Sequence, residues 1–437
     1  MLPHRRVLTE YPTGARRRRL LAVVVLAMFI TAYEGQLAPI LSLLLDDLGM
    51  SLKVYSLITA ASLMVGAVAG YYGGRLVDRF GRVRLLVPFL FLSGIACFAM
   101  AASENVIQFT GARILLAFVE AIATAGTAPL VRDFTPRIGR AQAFAFWSWG
   151  PVGANFVAAG VAAATLSWFA HAWQSQLLIM GGVSIVGSIV VALCLRDLSP
   201  AVRREIRLSD QQARREHAPL QDPGVRRLLR HSVIWKHVLA MSLLYLLLGT
   251  MNAYGQVITE QAFGLDVRTA SLVIMAFWFA NLISSLVAAR WSDQQQARAR
   301  FMVGAGVGAS VMLVALVVLL RQGPGVAPVL VAGVLLGVGI FLGAAFGPWM
   351  ASFSQHAEEI HPDLQGTAWG FNHLLTRLFV FASVLLAPRI ADHTSWTAWT
   401  LVLLVAVLGF TLLVSRIRDV RAPSAAVAPA PEPVVGG

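Results

Sequence analysis

Twelve long stretches of this chain carry almost no charge, and each is long enough to cross a bilayer as a helix. They lie at roughly 20–46, 53–74, 84–102, 105–130, 141–166, 176–195, 237–260, 270–289, 301–320, 328–351, 366–387 and 396–415. A hydrocarbon core of about 30 Å is crossed by about 20 apolar residues in α-helix. Backbone N–H and C=O groups find no water in lipid, so the segment must satisfy them itself, and a helix does so. A barrel would instead show strands of about ten residues with alternating polarity. Only 13% of the 437 residues are charged and 57% are hydrophobic, whereas a soluble domain carries about 25% charged residues. The expected fold class is an all-α membrane protein with twelve transmembrane helices.

The net charge is +13, and its placement decides what it means. With both termini in the cytoplasm, the inner segments hold nearly all Arg and Lys. The outer loops hold only Lys53, Arg268, Arg321 and Arg389. This positive-inside bias sets the orientation in an inner or plasma membrane. The charge is therefore topogenic and faces membrane lipids, and no nucleic-acid partner is expected. Arg16 to Arg19 precede an apolar run too long for a signal peptide, so that run is read as the first span. Cys97 and Cys194 both fall inside apolar runs and are read as small core residues.

The longest polar segment, from about Arg196 to Lys236, separates six runs from six. The expected organisation is a basic tail (1–19), an N-terminal six-helix bundle (20–197), a cytoplasmic linker (198–236), a C-terminal six-helix bundle (237–418) and a disordered tail (419–437). Internal echoes support the halving. Tyr33-Glu34-Gly35-Gln36 in the first run is echoed by Tyr254-Gly255-Gln256 in the seventh. Arg75 to Arg82 after the second run is echoed by Arg290-Trp291-Ser292-Asp293, with Arg298 and Arg300, after the eighth. Two such halves place a binding site near the midplane between them.

Gly74-Arg75-Leu76-Val77-Asp78-Arg79-Phe80-Gly81-Arg82-Val83-Arg84 resembles the signature loop between helices 2 and 3 of the major facilitator superfamily. The resemblance implies that family's fold and secondary transport by alternating access. It also implies a conformational latch formed by Gly74, Asp78, Arg79, Gly81 and Arg82. A second resemblance covers helices 4 and 5, with Arg113, Glu120, Ala121, Pro129, Arg132-Asp133-Phe134, Pro136 and Arg140. It is similar to the anion:cation symporter and spinster-like branches, which carry an Arg and a Glu at this spacing. Gly150-Pro151-Val152-Gly153 resembles the spinster-like branch and departs from the antiporter motif. The first run departs from the symporter branch, reading Tyr33-Glu34 where that branch has an Asp-Arg pair.

A charge near the bilayer centre costs at least about 2.5–3.5 kcal/mol, which makes an intramembrane charge a functional candidate. There are four: Glu34, Arg113, Glu120 and Arg377. Arg113 and Glu120 are seven residues apart, about 10.5 Å of helical rise, so they share a face at different depths. Glu120 is the candidate proton-coupling group with Arg113 as a switchable partner; the alternative is a permanent ion pair. Glu34 is a second proton site, a ligand for a basic substrate group, or a hydrogen-bonding partner of a facing helix. Arg377 holds a substrate carboxylate or neutralises Glu34 or Glu120.

Gln36, Asn252, Tyr254 and Gln256 are candidates for the lining of a substrate cavity, or for bonding between helices. Trp147, Trp149, Trp278 and Trp349 are further lining candidates, whereas Trp168, Trp173 and Trp396 fit an interfacial belt. His356, Glu358, Glu359, His361 and Asp363 look metal-like, but Pro362 interrupts them, and a solvated loop is expected rather than a metal site. No nucleotide-binding loop, cofactor signature or catalytic constellation is found, so the chain is not expected to be an enzyme. The expected function is proton symport of a small organic acid or related metabolite by a monomer. One alternative is proton-coupled export of a drug-like or lipid-like amphiphile. Another is a membrane sensor that does not transport.

Overall fold

The computed structural model describes residues 7–135, 143, 146, 147, 149–199, 201, 202, 204, 228–360 and 365–419. Most of the expected linker and C-terminal tail, Pro136, Arg140, His361 and Asp363 lie outside the described residues, as do the side chains of Asp78 and Arg132.

In chain order the α-helices are α1 (Gly14–Glu34), α2 (Leu41–Asp47), α3 (Leu52–Phe80), α4 (Arg82–Ala101), α5 (Val106–Phe134), α6 (Trp149–Thr165) and α7 (Gln174–Cys194). After the linker come α8 (Ser232–Phe263), α9 (Val267–Gln295), α10 (Arg298–Gln322), α11 (Pro328–Ile360), α12 (Gln365–His393) and α13 (Trp396–Ser415). Taking α1 and α2 as one interrupted span, twelve are long and apolar enough to cross a membrane.

Four helices that start at the end opposite the termini are capped by short polar side chains. Ser51 Oγ accepts from Val54 N, Asn105 Oδ1 from Ile107 N and Gln108 N, Asp266 Oδ2 from Arg268 N and Thr269 N, and Ser395 Oγ from Ala398 N. Each cap satisfies amide groups that the first helical turn leaves without an acceptor.

The packing repeats between the halves. In the first, α3 and α4 pack on α5, α4 on α7, and α1 on α6 and α7; in the second, α9 and α10 pack on α11, α10 on α13, and α8 on α12 and α13. The halves meet through α6 with α9 and α3 with α12, a reciprocal pairing of equivalent elements. The two weak sequence echoes thus sit in helices that occupy matching places in two six-helix bundles.

Several expectations need correction. The first span is not one helix: it breaks between Glu34 and a short 3-10 turn at Ala38–Ile40. Pro39 lacks the amide hydrogen that would continue the helix, and two carbonyls beside the break take side-chain donors. Gln36 Nε2 donates to Ala32 O at 3.1 Å, and Gln256 Nε2 donates to Pro39 O at 2.8 Å. The His356 region is not a loop, because α11 continues to Ile360. His356 is buried against His237, with Nδ1 3.2 Å from His237 Nε2 and 2.8 Å from Ser352 O. Among the described residues no three metal-ligating side chains cluster. Cys97 is buried, but Cys194 is exposed at the end of α7. Of the three belt tryptophans only Trp168 is exposed; Trp173 bonds Asp47 and Trp396 bonds Gln261.

Candidate functional site

The break in α1 places Glu34 on its last turn and Gly35 just beyond it. Glu34 is fully buried. Its Oε1 contacts Ser93 Oγ of α4 at 2.6 Å and also Ser184 Oγ of α7. Both serine oxygens lie 2.8 Å from Leu90 O, and they are 3.3 Å from each other. Glu34 Oε2 is buried and makes no hydrogen bond. Close approach of α4 and α7 builds this pocket. A Cβ on Gly94 would sit 2.9 Å from Gly181 O, and a Cβ on Gly181 would sit 2.9 Å from Gly94 O, so only glycine fits at either face.

Arg113 and Glu120 project from α5 toward the same glycine. A Cβ at Gly35 would lie 3.7 Å from Glu120 Oε2 and 3.8 Å from Arg113 Nη1. The structure therefore gathers three of the four intramembrane charges around the α1 break. Arg113 Nε and Nη1 are buried without a hydrogen-bond partner. Among the described residues no ion pair joins Arg113 to Glu120. Cys97 of α4 is within electrostatic range of Glu34, Arg113 and Glu120. Arg377 stands apart: it is exposed on α12, one turn from His373, and is not drawn into this cluster.

The polar candidates divide. Asn252 is exposed on α8. Tyr254 is fully buried, and its hydroxyl donates to Val384 O of α12 at 2.7 Å, which places it in helix packing. Gln256 is buried, donates to Pro39 O and Glu260 Oε1, and accepts from Ser271 Oγ. Gln36 is bonded back to its own helix. Trp349 is buried and donates to His237 O, Trp147 donates to Thr127 Oγ1, Trp278 is buried, and Trp149 is half-buried at the start of α6.

Polar links join the halves from Gln256 to Pro39 and from Lys53 to Asp392 at 3.4 Å, and Ser42 faces Glu260 across the same boundary. These contacts lie toward the end opposite the termini.

The α3–α4 loop is tied to its own bundle. Gly81 has φ +103°, and a Cβ there would lie 3.1 Å from Asp197 Oδ2. Asp197 accepts from Val83 N at 3.2 Å, at the start of α4, where a carboxylate also favours the helix dipole. Arg82 is buried, donates to Pro129 O at 2.7 Å and pairs with Asp133. Arg79 is exposed, with its guanidinium 5.3 Å from the Phe80 ring centre, and Gly74 has open space where a side chain would stand.

The sequence reading missed Ser93, Ser184 and Asp197, whereas Cys97, read as a core residue, is buried as expected. The only sequence signal for the serines is their placement beside glycine in apolar runs, Ser93-Gly94 and Gly181 through Ser184.

A family model for the Major Facilitator Superfamily matches residues 20–384. The membrane sensor protein UhpC of Escherichia coli is 24% identical over 370 residues, covering 82% of this chain and 81% of that protein. The chain is also similar to two solved structures. The D-xylose-proton symporter gives a TM-score of 0.71 at 14% identity, covering 92% of this chain and 98% of that one. A bacterial homologue of the human lysosomal transporter Spinster, inward-facing and unoccupied, gives 0.67 at 14% identity, covering 94% and 100%. At such identities the structural likeness shows the fold, and the family match shows the rest: this multi-pass membrane protein belongs to the major facilitator superfamily of transporters.

Proposed function

We propose that this protein is a proton-coupled symporter of a small organic acid or related metabolite, working as a monomer with both termini in the cytoplasm. The observation that carries this reading is the convergence of Arg113 and Glu120 on Gly35, beside the buried carboxyl of Glu34. Arg113 presents buried nitrogens without a protein acceptor, which suits a solute carboxylate approaching its planar fork. Glu120, within reach of the same point, exchanges the coupling proton as Arg113 engages or releases the solute.

A count of protons supports a role for Glu34. Carbonyl and carboxylate oxygens only accept, and each serine hydroxyl supplies one hydrogen. Two hydroxyl hydrogens serve four short contacts, from Ser93 and Ser184 to Glu34 and Leu90. A proton carried by Glu34 in the cycle would add a third donor to these contacts, which makes Glu34 the second candidate proton site. Asn252 and Arg377, both exposed, are the C-terminal candidates for solute contact. Gln36, Tyr254 and Gln256 serve the frame around them. Gly74, Asp78, Arg79, Gly81 and Arg82 act as the latch of the cytoplasmic side, with Arg82 and Gly81 held through Asp133 and Asp197. The links at the outer end support an inward-facing state.

The solved D-xylose-proton symporter lends weight to proton coupling. A second reading, a membrane sensor, is favoured by the name of the curated relative. Purified protein in sealed vesicles separates them. Symport predicts alkalinisation outside when solute is added, antiport predicts solute efflux against proton entry, and a sensor binds solute with no flux.

A further inference from the structure

One full-height row of exposed residues on α3 runs from Val54 through Leu57, Ala61, Val68 and Tyr72 to Arg79, while Leu63, Ala67 and Tyr71 are exposed on a neighbouring face. The row's spacing of three, four and seven residues makes it one stripe on a single face. The stripe runs the full height of the helix. A passage closed at one end exposes only part of a helix's height, so this face meets lipid. Beside the stripe, α3 and α5 approach closely: a Cβ at Gly73 would lie 3.1 Å from Ile122 Cα, and one at Gly66 would lie 3.5 Å from Ala117 O. The close seam leaves larger side chains standing as walls. Met64, Val68, Tyr72 and Phe118 stand around a buried floor of Ala69 and Ile122, forming an open groove of about 320 Å³ lined almost wholly by carbon.

The groove extends from Met64 to Leu76, twelve residues or about 18 Å of helix. One leaflet of a hydrocarbon core is about 15 Å deep, half of about 30 Å. At its end nearer the termini stands Arg75. Its guanidinium lies 4.7 Å from the Tyr71 ring centre and donates to Tyr71 Oη at 2.6 Å. That bond occupies one nitrogen and orients the others. Arg79 follows one turn later, exposed.

We infer that this groove binds one anionic phospholipid of the leaflet at the termini-bearing end. Its acyl chain lies along Val68 and Ala69, and its phosphate diester is held by Arg75 and Arg79. A groove of leaflet depth ending in two cations matches a lipid with a charged head, whereas a bare apolar face would take any chain. The site lies apart from the Arg113–Glu120 cluster and shares only Arg79 with the proposed latch, and its test, which alters Arg75 and Val68, reads lipid retention and not transport.

The test is native mass spectrometry of the full-length protein released from detergent with phosphatidylglycerol or phosphatidylcholine of identical chains. The wild type retains phosphatidylglycerol in preference to phosphatidylcholine. Arg75→Gln reduces that preference roughly fivefold, the effect of one arginine at an anionic surface. Val68→Trp fills the groove and lowers retention of both lipids, whereas Leu57→Trp, on the same stripe but outside the groove, leaves retention unchanged. Equal retention of the two lipids by the wild type would overturn the inference. So would indistinguishable behaviour of Val68→Trp and Leu57→Trp.

Discussion

At the scale of single residues, the account turns on how buried polar atoms are satisfied. Glu34 shares two serine hydroxyls with Leu90 O. A glutamine at position 34 has the shape of the neutral acid and supplies permanent donors. Glu34→Gln is therefore expected to keep the melting temperature in detergent close to wild type while weakening the pH dependence of uptake. Glu34→Ala leaves the two hydroxyls only Leu90 O, opens a cavity and should destabilise by about 2 kcal/mol. A Glu34→Gln variant as unstable as Glu34→Ala would show that the site holds a carboxylate. Arg113 is the second such residue. Arg113→Lys keeps the charge and loses the planar fork, so the KM for solute should rise about tenfold with the fold intact. An unchanged KM would remove Arg113 from solute contact.

At the scale of elements, the broken first span is the feature on which the site depends. Pro39 O lies in the turn that follows the break, and Gln256 from the opposite bundle donates to it. Gln256→Leu removes one hydrogen bond across the outer closure, worth about 1 kcal/mol. The rate at which an impermeant maleimide labels Asn252→Cys from outside should then rise about fivefold in a background lacking Cys194. No change in rate would place the closure elsewhere. The caps are a second matter. The Thr269 hydroxyl, helped by the amides of Arg268 and Thr269, holds the Asp266 carboxyl below its usual range. A lowered folded value gives stability at higher pH that is lost as pH falls through it. Asn caps a helix as well as Asp and does not titrate. Asp266→Asn should therefore match the wild type at neutral pH and lose less stability in acid, as read by thermal melts at two pH values.

What the sequence made legible also divides by element. Twelve spans follow from hydropathy, because lipid forces the backbone into helices wherever charge is absent. Helix ends do not follow: α11 runs through His356 and Glu359 to Ile360, since a helix leaving the membrane turns polar without unwinding. Gly35 and Pro39 mark a weak point in the first span, yet the donor to Pro39 O at the break, Gln256, lies more than two hundred residues away and is invisible locally. Arg113 and Glu120 were legible as a pair on one face. Ser93 and Ser184 were not, because a serine in an apolar run bonds its own helix by default and only packing brings it to a carboxyl.

At the scale of the whole molecule, two bundles with matching contacts meet through α6 with α9 and α3 with α12. Three intramembrane charges lie in the first bundle and the fourth, Arg377, in the second. In the proposed symport that asymmetry assigns proton exchange to the N-terminal half and the remaining solute contacts to the C-terminal half. The proposed cycle rocks the bundles about the reciprocal contacts and opens the Gly35 region alternately to each side. Glu120 is the centre of this account. The most direct measurement compares Glu120→Gln with wild type in sealed vesicles, following solute uptake driven by a pH gradient and exchange of labelled for unlabelled solute without one. The account predicts that Glu120→Gln loses pH-driven uptake and retains exchange. Uptake by Glu120→Gln with wild-type dependence on the pH gradient would contradict it.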